Sequence, residues 1–376
     1  MLYHYSVEDF NSDTIDPGQV AAERVLQIVN DGWIALLLSL GERAGLLQYL
    51  ADKGPVDVPQ AALDTRVPAR YLREWCWGLV SAGILRHDEN THAFALSTGF
   101  APALTASGGP LHWSRIAEQV VAFAALEDDL LGCFRDGRSV CPMRYEGRIQ
   151  EVMDLESAAI FDQVLLADIL PAIGMTGELE RGIDVVDLGC GSGKLLVTLA
   201  VSFPNSLFTG YDLSASALTK AESRVRQAGL ANCQFQQLDL EPLTLEGPFD
   251  LAFCCNAAHD LASPVAFFQG LRTCLRLGGV LVLHELSASA NMEENARNPL
   301  APGILAFSLF HCLPLALAKD PDADAPGGMW GRERYVAALR AAGFSQVDVL
   351  DIVADPANDL IVARTGERPT TNTLGR

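Results

Sequence analysis

Between residues 180 and 364, short β-rich runs alternate with stretches whose apolar residues recur every three to four positions. Alternation of a two-residue and a 3.6-residue period is the mark of a mainly parallel α/β sheet. The runs at 183–188, 206–211, 233–238, 249–255 and 280–285 read as its strands, and those at 347–352 and 359–364 as a closing hairpin. Residues 111–178 carry helical periodicity with few strand signals. Upstream, a short helix at 59–63, a turn at 64–66, a longer helix at 68–80 and a hairpin over 84–96 turning at Asp88-Glu89-Asn90 follow one another. Helix, turn, helix and hairpin together describe a winged helix. The division expected is therefore 1–110 as a winged-helix unit, 111–178 as a helical linker, 179–365 as the α/β domain and 366–376 as a flexible polar tail.

Composition narrows the partners. The 376 residues hold 27 Lys and Arg against 47 Asp and Glu, a net charge of −20. Long-range repulsion then works against a phosphate backbone or an anionic membrane. Residues 1–110 share the bias, with seven basic and thirteen acidic side chains, a net of −6. A helix offering Arg66, Arg70 and Arg73 could read DNA, but this charge favours a dimerisation and lid module of the same topology. No apolar run reaches the roughly 20 residues of a membrane span; the run 33–40 stops at Gly41-Glu42-Arg43. The first twenty residues lack the basic start of a secretory leader. Nine scattered cysteines with no C-x-x-C point to reduced thiols in a cytoplasmic protein and to no metal site.

The chemistry concentrates in Val185-Val-Asp-Leu-Gly-Cys-Gly-Ser-Gly193. A β-branched strand runs into three glycines and an apolar-periodic helix leaves them, which sets bare N–H groups and a helix start beside a ligand. A dinucleotide fingerprint would need glycine where Lys194 stands. What is present is G-x-G-x-G led by Asp187, and this string resembles that of class I S-adenosylmethionine-dependent methyltransferases. The resemblance implies a Rossmann-like, seven-stranded, mostly parallel sheet with S-adenosylmethionine as cofactor. By position it implies that Asp187, Gly189, Cys190, Gly191, Gly193 and Asn256 border the cofactor. Asp212 with Leu213 would take the ribose hydroxyls, and Asp239 with Leu240 the adenine.

His259-Asp260, after the fourth strand, lies where an open α/β sheet places substrate. It resembles the His-Asp pair of plant-type small-molecule O-methyltransferases, in which the histidine is the general base. The tryptophan usual after that pair is replaced by Leu261. His259 is expected either to take a proton or to line the pocket, with Asp260 or Glu285 orienting it; His284 alternates to the opposite face. The segments Asn30 to Leu46, Arg70 to Trp75, His259 to Pro264 and His311 to Gly331 also resemble bacterial, including mycobacterial, methyltransferases of winged-helix plus Rossmann build. Tyr145, His311 and Trp330 are expected to touch the acceptor, with Trp113, Met143, Met153 and Phe161 as further walls and an apolar helix over 304–318 beside them. The function expected is methyl transfer to a small molecule at oxygen or sulfur, by a homodimer joined through its N-terminal domain. The alternative is a transcriptional regulator that senses the cofactor.

Overall fold

The computed structural model describes residues 16–109 and 112–366. The acidic start before Asp16 and the tail beyond Gly366 lie outside the described residues. The chain divides into two compact units, Met1–Val121 and Ala122–Arg376, so most of the expected helical linker belongs to the second.

In the first unit, α1 (Pro17–Arg43) is followed by α2 (Leu46–Lys53), α3 (Val58–Thr65) and α4 (Ala69–Ser81), then by the strands β1 (Leu85–His87) and β2 (Phe94–Leu96). Asp57 caps α3 by accepting the Gln60 N–H at 2.8 Å, and Pro59 stands where a helix start needs no N–H donor. Asp88 closes the hairpin by accepting from the N–H groups of Asn90 and Thr91. The core gathers on Trp75, whose indole N–H reaches the Leu37 carbonyl at 2.9 Å. A side chain at Gly41 would collide with the same indole, its Cβ falling 2.6 Å from the ring. The sequence suggests Tyr71, Trp75 and Trp77 as interface residues; Tyr71 is exposed, Trp77 half exposed and Trp75 buried within its own unit.

Helix α1 leaves Val25, Leu26, Ile28, Val29, Trp33 and Leu36 uncovered. By length and composition alone, Pro17–Arg43 and the stretch Ala301–Lys319 are each apolar enough to cross a membrane. A count of uninterrupted apolar residues misses both, because isolated polar residues break each run while its mean hydropathy stays at 1.2 and 1.7.

The second unit begins with further helices, including α5 (Arg148–Val164), and then builds the sheet. Its elements are β3 (Asp184–Leu188), α6 (Lys194–Ser202), β4 (Leu207–Asp212), α7 (Ala215–Ala228), β5 (Cys233–Gln237), β6 (Phe249–Cys255), α8 (Pro264–Cys274) and β7 (Leu275–Leu286). The helices α9 (Ala301–Phe310), α10 (Cys312–Lys319) and α11 (Arg332–Ala341) and the hairpin β8 (Gln346–Asp351) and β9 (Asn358–Arg364) complete it. The strands lie in the order β5-β4-β3-β6-β7-β9-β8; β9 alone runs antiparallel to both neighbours. The fold is Rossmann-like: β6 is the middle strand of the seven, and β3 beside it marks the point from which β4 and β6 lead away to opposite sides. Strands β3 and β6 and the stretch 280–285 of β7 are buried almost without a break, as a sheet covered on both faces requires.

The single helix expected over 304–318 is two, broken at His311. Pro314 causes the break, because its ring nitrogen cannot donate to the Phe310 carbonyl four residues earlier.

In the first unit, Trp75→Ala should lose about 3–5 kcal/mol of stability through the cavity it leaves. Thermal melts followed by near-ultraviolet circular dichroism would read that loss.

Candidate active site

The glycine loop after β3 is pinned to the end of β4. Gly189 and Cys190 donate their N–H groups to the Tyr211 carbonyl at 2.8 and 3.0 Å. Gly191 N–H donates to the Asp212 carboxylate at 2.8 Å, and the other Asp212 oxygen accepts the Ser214 N–H. Glycine is required at two points. Gly189 and Gly193 both have positive φ, and a Cβ there would lie 2.6 Å from the Ala257 methyl and 2.3 Å from the Phe235 ring.

The loop forms one wall of a cavity of about 410 Å³ at the C-terminal ends of β3, β4 and β6. Asp187, Gly189, Cys190, Gly191, Asp212, Leu213 and Asn256 all border it. Asp187 is buried with one carboxylate oxygen unpartnered. Burial, reinforced by the Asp212 charge, pushes its pKa up to about 8. Asn256 follows β6 with φ at +48° and also keeps its side-chain oxygen buried and unpartnered.

Three expected cofactor residues do not reach the cavity. Asp239 pairs with Lys319 at the surface, and Leu240 packs into the core beneath the sheet. Gly193 stands behind the wall, against Phe235.

At the other end Met143, Tyr145, Met153, Phe161, Asp260, His311 and Leu315 line the cavity. Trp330 does not. It is buried edge-on against Tyr335 in the core, so the expected acceptor contact is a packing residue. Trp113 lies exposed in the first unit. The Tyr145 hydroxyl donates to the Phe310 carbonyl at 2.9 Å, the same carbonyl that Pro314 leaves without a helical partner. His311, at the break, presses its ring on Tyr145 and Phe307.

His259 sits behind this wall rather than on it, only 3% exposed. Its Nδ1 meets Glu285 at 2.5 Å and its Nε2 faces Asp260 Oδ1 at 3.4 Å. Glu285, fully buried, also accepts from the Ala258 N–H and the Tyr335 hydroxyl, each at 3.0 Å. Burial alone would push the His259 imidazolium down in pKa, but the flanking carboxylates of Glu285 and Asp260 hold it well above the ordinary histidine value. His311 behaves oppositely: burial lowers its pKa against the pull of Asp260, 3.7 Å away. His284 does point away, to Asp355 at 2.7 Å.

Sequence reasoning missed several groups. Arg224 and Asp154 clasp Ser192 of the glycine loop, Gln150 of α5 bridges Ser214 and Ser216, and Cys312 lies beside His259. Only a three-dimensional path joins these positions, so no spacing announces them.

Tyr145→Phe should cost about 1–3 kcal/mol, since it strands a buried carbonyl. The same change in a Pro314→Ala background should cost measurably less, because an alanine at that position supplies the missing N–H. Equal losses in both backgrounds, read from denaturant midpoints, would contradict this coupling.

Comparisons with known proteins agree with this architecture. Residues 179–312 match a methyltransferase domain, and residues 32–106 match an Rv2258c-like winged HTH domain. Trans-aconitate 2-methyltransferase of Deinococcus radiodurans is 38% identical over 99 residues, covering 26% of this chain and 36% of that protein. A ubiquinone biosynthesis O-methyltransferase of Albidiferax ferrireducens is 29% identical over 110 residues, covering 29% and 43%. The chain thus spans less than half the length of these curated relatives. Among solved structures, an O-methyltransferase of Nostoc punctiforme superposes with a TM-score of 0.68 at 18% identity, covering 93% of this chain and 99% of that one. Human N-acetylserotonin methyltransferase superposes at 0.66 and 17% identity, covering 94% and 99%. The chain therefore carries a methyltransferase domain over residues 179–312 together with a winged helix-turn-helix domain over 32–106.

Proposed function

We propose that the protein is an S-adenosylmethionine-dependent methyltransferase acting on a small molecule at oxygen or sulfur. The observation that carries this reading is the acidic cavity closed by the glycine loop. Two of its buried, unpartnered oxygens, on Asp187 and Asn256, await a donor at the glycine-loop end, and a ligand bearing an ammonium and a sulfonium suits that set. When bound, the cofactor supplies a methyl group on a positively charged sulfur.

Asp187 and Asn256 would hold the charged amino-acid end, and Asp212 with Leu213 the ribose. The pinned loop gives its backbone no freedom to lose on binding, so alignment is built in. At the far end Tyr145, Met143, Met153 and Phe161 offer an apolar bed for the acceptor. A proton leaving an acceptor hydroxyl passes to the Asp260 carboxylate on the wall and from there to His259 Nε2 behind it, once that imidazole has lost to solvent the proton its flanking carboxylates favour. Glu285 and Tyr335 fix the imidazole in that orientation. A thiol acceptor needs less of this assistance, because its own pKa is near 8.5.

The net charge of −6 over residues 1–110 works against a DNA partner for the winged helix. The uncovered apolar face of α1 favours a homodimer joined through this unit, and the cysteines, all free, are in keeping with a cytoplasmic setting.

Two measurements bear on the reading. His259→Ala should reduce turnover of a hydroxyl acceptor by about 10²–10⁴-fold while leaving S-adenosylhomocysteine affinity within twofold; turnover near normal would remove the proton-transfer role. The second concerns Asp187, whose free carboxyl is protonated below about pH 8. A bound cation favours its ionised form, so cofactor binding at pH 7 should release up to about one proton, and affinity should rise between pH 6 and 8. Calorimetry in buffers of different ionisation enthalpy measures that release, which Asp187→Asn should abolish.

A further inference from the structure

One ring nitrogen of His259, one carboxylate oxygen of Asp260 and Cys312 Sγ lie within 4.8 Å of one another, although Cys312 is far from the other two in sequence. The turn after β6 supplies the first two and the start of α10 the third. Among the described residues this is the group of histidine, cysteine and carboxylate side chains that converges closely enough to share one ion.

Four features of the geometry suit a cation. The Nε2–Oδ1 separation of 3.4 Å matches the edge of a tetrahedron with bonds of about 2.0–2.1 Å. Asp260 Oδ1 is buried and makes no hydrogen bond, so its lone pairs face the cluster unopposed. Glu285 holds the other ring nitrogen of His259, the carboxylate–histidine arrangement that turns the free nitrogen outward as a ligand. His311, only 6% exposed, keeps Nδ1 unpartnered 3.7 Å from the second Asp260 oxygen, on the cavity side. One thiolate, one imidazole and one carboxylate form a mixed soft donor set, which suits zinc and is wrong for magnesium or calcium.

We propose that His259, Asp260 and Cys312 bind a soft divalent cation of the zinc class, with the fourth coordination position open toward His311 and the cavity. Binding displaces the Cys312 thiol proton and the His259 Nε2 proton to solvent and forms a metal–thiolate and a metal–imidazole bond. It also occupies the Nε2 lone pair and the Asp260 oxygen through which an acceptor's proton would pass. The cation therefore acts as an inhibitor of hydroxyl methylation, and in that consequence the inference rests on the function proposed above.

The test uses the full chain, stripped of metal by chelation and titrated with Co²⁺ and then Zn²⁺. One equivalent of Co²⁺ should produce a near-ultraviolet thiolate-to-cobalt band, which one equivalent of Zn²⁺ should bleach. Cys312→Ser should remove the band, and Asp260→Asn should weaken zinc binding by tenfold or more. X-ray absorption on the zinc-loaded wild type should show one sulfur among nitrogen and oxygen ligands, so the result does not depend on a variant folding. Absence of the band, its persistence in Cys312→Ser, or an all-nitrogen-and-oxygen shell would overturn the proposal. S-adenosylhomocysteine calorimetry on the same preparation separates the two readings. Binding of that ligand without a cobalt band refutes the metal site alone, and a cobalt band without ligand binding refutes the methyltransferase reading alone. Where both bind, added zinc should suppress hydroxyl methylation and a chelator should restore it; zinc-insensitive turnover would overturn the inhibitory role.

Discussion

A carboxylate removed from water must be satisfied on every side, and the corner of the second unit is organised around one such group, Glu285. Its two oxygens take the Ala258 N–H, the His259 imidazole and the Tyr335 hydroxyl, so the turn after β6, the end of β7 and the helix α11 converge on a single side chain. Each partner is thereby fixed in orientation. His259 can turn only its Nε2 toward Asp260, and Tyr335 holds Trp330 edge-on in the core. The cost of burying this charge is offset by a histidine held as its cation, and the pair acts as a fixed dipole beneath the cavity floor.

The parts of the fold governed by local rules were legible in the sequence. Strand β3, the glycine loop and Asp212 follow from a β-branched run, from backbone angles open mainly to glycine, and from one chain reversal. The winged helix follows from a cap at Asp57, a turn at Asp88 and two apolar periods. Expectations failed where a long-range partner decided the outcome. Asp239 has a carboxylate at a family position, but Lys319 from the end of α10 claims it. Trp330 is large and lies near the right segment, yet Tyr335, five residues on, draws it into the core. The motif suggests that His259 faces substrate, whereas Asp260 and His311 occupy that wall. Cys312 has no readable signal at all, because its neighbours are set by how α10 packs and not by its position in the chain.

Charge and apolarity are distributed differently in the two units. In the first, the apolar surface of α1 is left uncovered while the remaining helices close on Trp75. In the second, acidic groups converge inside a cavity, where desolvation keeps one of them protonated near neutrality. The same excess of carboxylates thus acts as solvated surface in one place and as a poised binding group in another. Net charge alone cannot distinguish these roles; burial does.

The proline in α10 has a further consequence for recognition. Because Pro314 leaves the Phe310 carbonyl open, the Tyr145 phenol is consumed by the protein's own backbone. Tyr145 lines the cavity with no hydroxyl proton to spare for a guest. A chain with an ordinary residue at that helix position would free the phenol and convert a greasy wall into a hydrogen-bonding one. Selectivity for polar against apolar guests could then drift by substitution at a residue that touches neither guest nor cofactor.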